Sequence, residues 1–248
     1  MRLRMSLAVI TMVKDEASRY LPSALAAWKE FADEIIALDD HSSDGTREML
    51  EAAGATVHEN PLRTAWGAEA GPRSCLFDRA LESGCEWLLW LDADMVPARD
   101  PRTLFQPSAD GVAFPLFDLW GASVYRSDAM WSAHKSARVW AVRNPGPGKY
   151  VWLERGLHCG HLPLNLELNH VVCAPMSFSL LHYGYVDPQD RVEKCEQYLN
   201  EKGKLNVREI LHAQSIIDDA PRVQPLKIEV SWPLQKGAAQ SAGSEPTT

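Results

Sequence analysis

Trp87-Leu88-Leu89-Trp90-Leu91-Asp92-Ala93-Asp94 is an apolar run that ends abruptly in two carboxylates with one residue between them. The run is short, rich in Leu and Trp, and follows Gly84, so it reads as a buried strand rather than a helix. A strand covered on both faces is continuously apolar, as the inner strands of α/β sheets are. Ligands in open α/β sheets gather outside the carboxyl ends of strands, where Asp92 and Asp94 would sit. In an extended chain, residues two apart point to the same side. Two carboxylates there, with no Lys or Arg between them, repel unless a cation lies between. Oxygen ligands of this kind suit Mg²⁺ or Mn²⁺, ions that bridge to substrate phosphates. A polar strand-to-loop turn explains this stretch equally well, since Asp is common in turns.

The chain before this stretch repeats the same pattern. Leu7 to Val13 reads as a first strand, with Lys14-Asp15-Glu16 at its carboxyl end. Leu21, Leu25, Trp28 and Ala32 then recur at helical spacing, and Pro22 suits a first helical turn. Glu34 to Leu38 is a second strand, ending in Asp39-Asp40 and a polar loop. Asp44 is the expected N-cap of a helix stopped by Gly54. Ala55 to His58 is a third strand, Asn60 to Gly71 a loop, and Arg73 to Ser83 a helix. Alternating strands and helices with short connections predict a parallel sheet covered on both faces. Right-handed crossovers put all the strand carboxyl ends on one edge. Lys14-Asp15-Glu16, Asp39-Asp40 and Asp92-Ala93-Asp94 would then share one crevice, which packing alone does not explain. That convergence favours a functional site.

The pattern changes from about Ala98. Val112 to Leu119, Val139 to Val142 and Met176 to Leu181 read as strands, and Asn144 to Gly148 as a turn. Gln189 to Lys202 and Val207 to Ile217 read as helices. Residues 1–235 are expected to form a single domain, with one half over 1–97 and a second over 98–235. Residues 236–248 are small and polar and are expected to be disordered.

The formal net charge of -8 argues against nucleic acid as a partner, because phosphate binding needs a basic stripe. A small molecule bearing phosphate stays open, since a metal can supply the positive charge. The five Cys are dispersed and do not read as a disulfide framework, which points to a reducing, cytoplasmic setting. The basic, then apolar N-terminus lacks a small-residue cleavage site and reads as the first strand, not a signal peptide. No apolar run reaches membrane-spanning length. Oligomeric state is not legible.

An ordered set of motifs resembles the family-2 glycosyltransferases of the GT-A fold. Met12-Val13-Lys14-Asp15-Glu16 resembles the family's V-K-N-E opening, with Asp in place of Asn. Asp33 to Thr46 resembles its D-E-I-I-V-x-D-x-x-S-x-D-G-T segment, and Glu86 to Asp94 its W-x-L-x-L-D-A-D strand. Gly71-Pro72-Arg73 stands where the family often has an Arg-Asn pair, and His182-Tyr183-Gly184-Tyr185 resembles a downstream His-x-Gly-Tyr element. The resemblance is firm over Leu7 to Pro97 and thinner over Phe114 to Lys202. It implies a GT-A fold and a Mn²⁺- or Mg²⁺-dependent transfer of a sugar from a UDP- or GDP-linked donor to a hydroxyl acceptor, with inversion. Asp39 and Asp40 would hold the base and ribose, with Val13, Lys14, Asp15 and Glu16 near the same nucleotide. Arg73 would approach the base or diphosphate. Asp92, Ala93 and Asp94 would form the D-x-D element, Asp94 as direct metal ligand, Asp92 toward the ribose or the metal's waters, and His182 as a further ligand. Arg191 and Lys194 would add to charge neutralisation as the leaving diphosphate forms.

An inverting transfer needs a general base, and Asp118, Asp128 and Glu154 are the candidates, Asp118 first. His158, His161, His170 and Cys173 have spacings that a structural zinc site could use, against which stand pocket-lining or core histidines and a buried Cys. Trp120, Trp131, Trp140 and Trp152 are expected in the core, with an acceptor platform as the alternative. A sugar-nucleotide pyrophosphorylase would open with a Gly-rich phosphate loop where this chain has Lys14-Asp15-Glu16. A nicotinamide-dependent oxidoreductase would carry a G-x-G-x-x-G that no predicted strand here precedes. A catalytically silent nucleotide-sugar-binding module remains a rival.

Overall fold

Leu, Ala, Val and Ile fill β1 (Leu7–Val13), and nearly every residue of it is buried. Such a strand needs cover on both faces. Helix α1 (Leu21–Phe31) supplies part of it, burying Leu21, Ala24, Leu25, Trp28 and Phe31. The structure is a computed structural model and describes residues 5–62, 69–154, 160–200 and 205–237. The chain continues through β2 (Glu34–Asp39), α2 (Thr46–Ala52), β3 (Thr56–Glu59), α3 (Ala70–Leu81), β4 (Trp87–Trp90) and β5 (Met95–Pro97). Then come β6 (Gly111–Phe114), β7 (Leu116–Gly121), β8 (Val124–Arg126), β9 (Arg138–Arg143), β10 (Val171–Cys173) and β11 (Leu180–His182). Helices α4 (Pro188–Leu199) and α5 (Val207–Ser215) and strand β12 (Val223–Pro225) complete the described chain.

Among the described residues the larger sheet has the order β10-β6-β9-β4-β1-β2-β3. It is mostly parallel; β9 alone runs against its neighbours β4 and β6. The chain moves outward from β1 to β3, then returns to place β4 on the other side of β1. Right-handed crossovers therefore put α3 on the opposite face from α1 and α2. The reversal makes a switch point between β1 and β4, where open α/β sheets bind ligands. Trp28, Trp87, Trp90, Phe31 and Phe77 are among the largest fully buried side chains and fill the layers beside these strands. This is the mixed α/β arrangement, with a mostly parallel central sheet covered by helices, expected from the sequence.

The smaller sheet has the order β12-β8-β7-β11-β5. Its strands explain most departures from the sequence expectation. Val112 to Leu119 is not one strand: Pro115 lies between β6 and β7, which belong to different sheets. Met176 to Leu181 is also split, because Met176–Phe178 makes a 3-10 turn before β11. Strands β5, β8 and β12, three residues each, escape any periodicity reading. Asp44 is not the N-cap of α2. Gly45 takes that place at φ 92°, and the Asp44 side chain accepts from the Thr46 amide at 3.0 Å instead. Lys236 and Gly237, expected to begin a disordered tail, are bonded into the fold, Lys236 to Asp190 at 2.7 Å and the Gly237 amide to the Arg19 carbonyl at 2.7 Å. Residues 238–248 lie outside the described residues.

Candidate active site

The loops after β1 and β2 brace one another. The Ser43 amide donates to Asp15 Oδ1 at 2.7 Å, and the Asp15 amide to Ser42 Oγ at 3.0 Å. The Glu16 amide donates to Thr46 Oγ1 at 2.7 Å, and the Ala17 amide to Asp44 Oδ2 at 2.9 Å. The short polar residues of the Ser42-to-Thr46 segment thus hold the Lys14-to-Ala17 turn. Asp15 and His41 sit at φ 52° and 59°, a left-handed conformation that costs of order 1 kcal/mol each outside glycine. Asp40 is compensated by the Asn60 amide at 2.7 Å and the Lys14 ammonium at 3.8 Å. Asp39 is buried at the end of β2, its Oδ1 accepting from the Ser42 amide at 3.2 Å.

The D-x-D stretch crosses from the larger sheet to the smaller. Register then brings its partners in. His182 pairs with Met95 across β11 and β5, and with Asp118 across β11 and β7. The Tyr183 amide donates to the Asp94 carbonyl at 2.9 Å. The Trp28 indole of α1 donates to the Met95 carbonyl at 3.0 Å and fixes the same corner from behind. His182 Nε2 consequently lies 3.4 Å from Asp94 Oδ2, while Nδ1 bonds Asp118 Oδ1 at 2.9 Å. Burial pulls the His182 imidazole down, but Asp94 and Asp118 outweigh it and push it up to about 9. Burial pushes the Asp94 carboxyl up, yet His182 and Lys194 hold it well below the usual carboxylate range. Lys194 of α4 stands 3.9 Å from Asp94 Oδ2.

Gly184 walls this corner. A Cβ there would lie 2.3 Å from Asp94 Oδ2 and 2.8 Å from His182 Nε2. The sequence contained Gly184 within its His-x-Gly-Tyr element but not this reason for it. Glu16 was expected only as a nucleotide neighbour. Burial pushes its carboxyl up to about 7 against the lowering effect of Arg19, whose Nε is 3.1 Å away. Arg19, Asp190 and Lys236 continue the ionic chain away from Glu16, and nothing in their sequence spacing signalled it.

The structure rearranges other expectations. Asp118 does not stand free as a proton acceptor, because it orients His182. Asp128 bonds Arg126 at 2.6 Å and accepts from the amides of Met130 and Trp131, contacts that overcome its burial and lower its carboxyl. These contacts commit it to Arg126 and to the turn that follows. Glu154 is exposed. Arg73 pairs with Glu69 at 3.1 Å and lies 5.5 Å over the Trp90 ring, beside the D-x-D strand. Arg191 lies 5.3 Å over Trp120, one turn of α4 away from Lys194. Trp120, Trp131, Trp140 and Trp152 are all buried, as expected of core residues. His158 lies outside the described residues. His161 donates to the Val139 carbonyl, stacks on Trp140, and is pushed by burial down to about 4. His170 bonds the Ser108 carbonyl at 2.8 Å, and Cys173 is exposed. Among the described residues no three His, Cys, Asp or Glu groups cluster as a metal site. The zinc set is therefore not assembled there, and Asp92, which is exposed, does not close on Asp94 and His182.

Asp94 and His182 would fit one divalent ion, leaving its other positions to a ligand. Asp94 Oδ1 is buried without a hydrogen-bond partner. Asp118 on Nδ1 leaves His182 Nε2 to face Asp94, the usual support for a ligating imidazole. Gly184 keeps the space beside both open. A carboxylate beside an imidazole suits a borderline divalent ion such as Mn²⁺ better than a soft metal, and Mg²⁺ would rely on the oxygen donors.

Fold and corner together define a mixed α/β protein with a mostly parallel sheet and acidic residues at the sheet's switch point. Residues 8–107 match the sequence profile of Glycosyl transferase family 2. No curated protein sequence matches the chain. Among solved structures it is similar to glucosyl-3-phosphoglycerate synthase from Mycobacterium tuberculosis in complex with phosphoglyceric acid, at 20% identity and a TM-score of 0.34, over 47% of this chain and 45% of that one. The same synthase with Mn²⁺, uridine-diphosphate and glucosyl-3-phosphoglycerate aligns at 14% identity and a TM-score of 0.48, over 91% and 88%. A further mycobacterial protein aligns at 20% identity and a TM-score of 0.34, over 46% of this chain and 41% of its own length, so the match spans less than half of that chain. Among the described residues, no helix is long and apolar enough to cross a membrane.

Proposed function

We propose that this chain is a metal-dependent glycosyltransferase that moves a sugar from a nucleotide-diphosphate donor to a hydroxyl acceptor, with inversion. The observation that carries the reading is the Asp94–His182 pair, 3.4 Å apart at the switch point of a segment that matches family 2. Asp94 and His182 hold the divalent ion, which when bound neutralises charge growing on the leaving diphosphate. Asp118 fixes the imidazole that faces it. Asp39, Asp40 and the braced Val13-to-Glu16 turn bind the nucleoside, with Asp92, Ala93 and Arg73 at the diphosphate and sugar side. Lys194 adds positive charge at the diphosphate, and Arg191 lies farther out on the same helix.

The acceptor hydroxyl loses its proton to Glu154. Of the three carboxylates considered, Asp118 and Asp128 are committed to other groups, and Glu154 is exposed two residues after Trp152. Trp152 packs edge-on to Trp90, which leads into Asp92, so Glu154 follows an anchor beside the crevice. Residues 98–235 form the acceptor side of a single functional unit. The free thiols of Cys75, Cys85, Cys173 and Cys195 support action in a reducing, cytoplasmic setting.

The test is release of UDP or GDP from a panel of nucleotide sugars with Mn²⁺, with and without varied hydroxyl acceptors. Turnover that EDTA stops, and that Glu154→Gln lowers by about 100-fold without loss of UDP binding, supports the reading. Binding of UDP without turnover of any donor turns it into a silent binding module.

A further inference from the structure

Lys194 brings a cation of the chain's own into the acidic corner. Its Nζ is 3.9 Å from Asp94 Oδ2 and 4.5 Å from the centre of the Tyr185 ring. A Cβ on Gly184 would meet that Nζ at 2.8 Å, the same distance at which it would meet His182 Nε2. Lysine ammonium, imidazole and carboxylate therefore converge on one glycine-walled space. The Lys194 side chain is 19% exposed and that of Asp94 9%, so solvent screens their attraction weakly. Glu16 and Arg19 from the β1–α1 loop, and Asp92 from the D-x-D stretch, act on the same corner.

Lys194 is carried there by an anchored helix. Asp187 caps α4 by accepting from the Gln189 amide at 2.8 Å. Lys236 bonds Asp187 at 2.8 Å and the buried Asp190 at 2.7 Å, and Arg19 approaches Asp190 at 4.0 Å. The start of α4 is thus tied both to the β1–α1 loop and to the segment around Lys236. One turn beyond Asp190, Lys194 faces Asp94.

We propose that Lys194 joins the His182 imidazole as a resident counter-ion of Asp94: without a nucleotide its ammonium occupies the charge balance that a divalent cation would need, and the cation enters only together with a diphosphate. This rests on the reading of Asp94 and His182 as metal donors. The reason is charge balance. A monovalent and a divalent cation within about 4 Å of one carboxylate repel each other strongly at low dielectric. A diphosphate brings enough negative charge to hold both, and Lys194 can then pair with it. Removing Lys194 therefore has opposite effects on two ligands. Metal alone binds better, and diphosphate with metal binds worse. A lysine that only supported the fold would weaken both.

The experiment is calorimetric titration of the full chain with Mn²⁺ alone, and with UDP or GDP at saturating Mn²⁺. Wild type is compared with Lys194→Met and with Lys194→Gln, each checked by thermal melting, so that either variant carries the comparison if the other fails to fold. The expected result is Mn²⁺ bound about tenfold or more tightly by the variants, and the nucleotide about tenfold or more weakly. If wild type binds UDP or GDP with Mn²⁺ but the variants gain no affinity for Mn²⁺ alone, the counter-ion role is overturned and the metal reading stands. If wild type binds neither UDP nor GDP with Mn²⁺, the metal reading fails and takes the counter-ion with it.

Discussion

Asp94 and Asp118 meet the two nitrogens of one imidazole from opposite sides, and their neighbours give them different roles. Asp94 lies in the glycine-walled corner with a buried oxygen that has no partner, whereas Asp118 is tied to Nδ1. Asp118→Ala is expected to weaken Mn²⁺-supported UDP binding by about 10- to 100-fold, the usual effect of losing a ligand's supporting group, measured by calorimetry. Unchanged binding with lost turnover would instead return Asp118 to the role of base. Gly184→Ala is expected to abolish the same binding and to cost about 1–3 kcal/mol in urea unfolding, because its Cβ would meet Asp94 at 2.3 Å. Glu16 gives a pH-dependent expectation. Its folded carboxyl holds a proton up to about pH 7, whereas the unfolded chain releases it near ~4.3. The folded state thus binds more protons between those values, and this contribution to stability falls as pH rises through them. Glu16→Gln should match wild type in melting temperature near pH 4 and exceed it near pH 8. A difference that does not change with pH would remove that account. At this scale strand ends and motif order single out Asp39, Asp92, Asp94 and His182 in the sequence, and of these Asp94 and His182 stand 3.4 Å apart. The reassignment of Asp118 was not, since it depends on strand pairing between residues 64 positions apart.

The helix α4 joins the site to the rest of the fold at the level of elements. Its first turn is pinned by Lys236 to Asp187 and Asp190, and Asp190 is buried. Lys236→Met leaves Asp190 without its ammonium partner. The expected loss is about 1–2 kcal/mol in urea unfolding at pH 7, reduced from a fully buried pair because Lys236 is partly exposed. Its hydrogen bond also lowers the Asp187 carboxyl. Stability from that contact is present above the unfolded value near ~3.9 and is lost as pH falls through the lowered folded value. The gap between wild type and Lys236→Met should therefore narrow toward pH 3. A gap that persists there would show that Lys236 acts through packing. Elements β1, α1, β2 and β4 could be read from apolar runs and helical spacing. Strands β5, β7 and β11 could not be delimited that way. Pro115 breaks one expected strand in two, and three-residue strands carry too little pattern to register.

Across the whole molecule, the segment 8–107 that matches Glycosyl transferase family 2 is also the part whose fold the sequence made legible. There the strands are neighbours in sequence or joined by one crossover. The smaller sheet is assembled from distant segments, with β12 reaching back to β8 and β11 to both β5 and β7. Hydrophobic pattern alone does not encode such pairings. Yet it is this sheet that delivers His182 and Asp118 to the end of the larger one, so the site belongs to both. The central claim is that this junction binds a nucleotide diphosphate through a divalent ion held by Asp94 and His182. The most direct measurement is calorimetric titration of UDP into wild type and Asp94→Asn, each with Mn²⁺ and with EDTA. The account predicts that wild type binds UDP with Mn²⁺ and loses at least about 100-fold in affinity with EDTA, while Asp94→Asn binds weakly in both. Equal UDP affinity in all four titrations would contradict it.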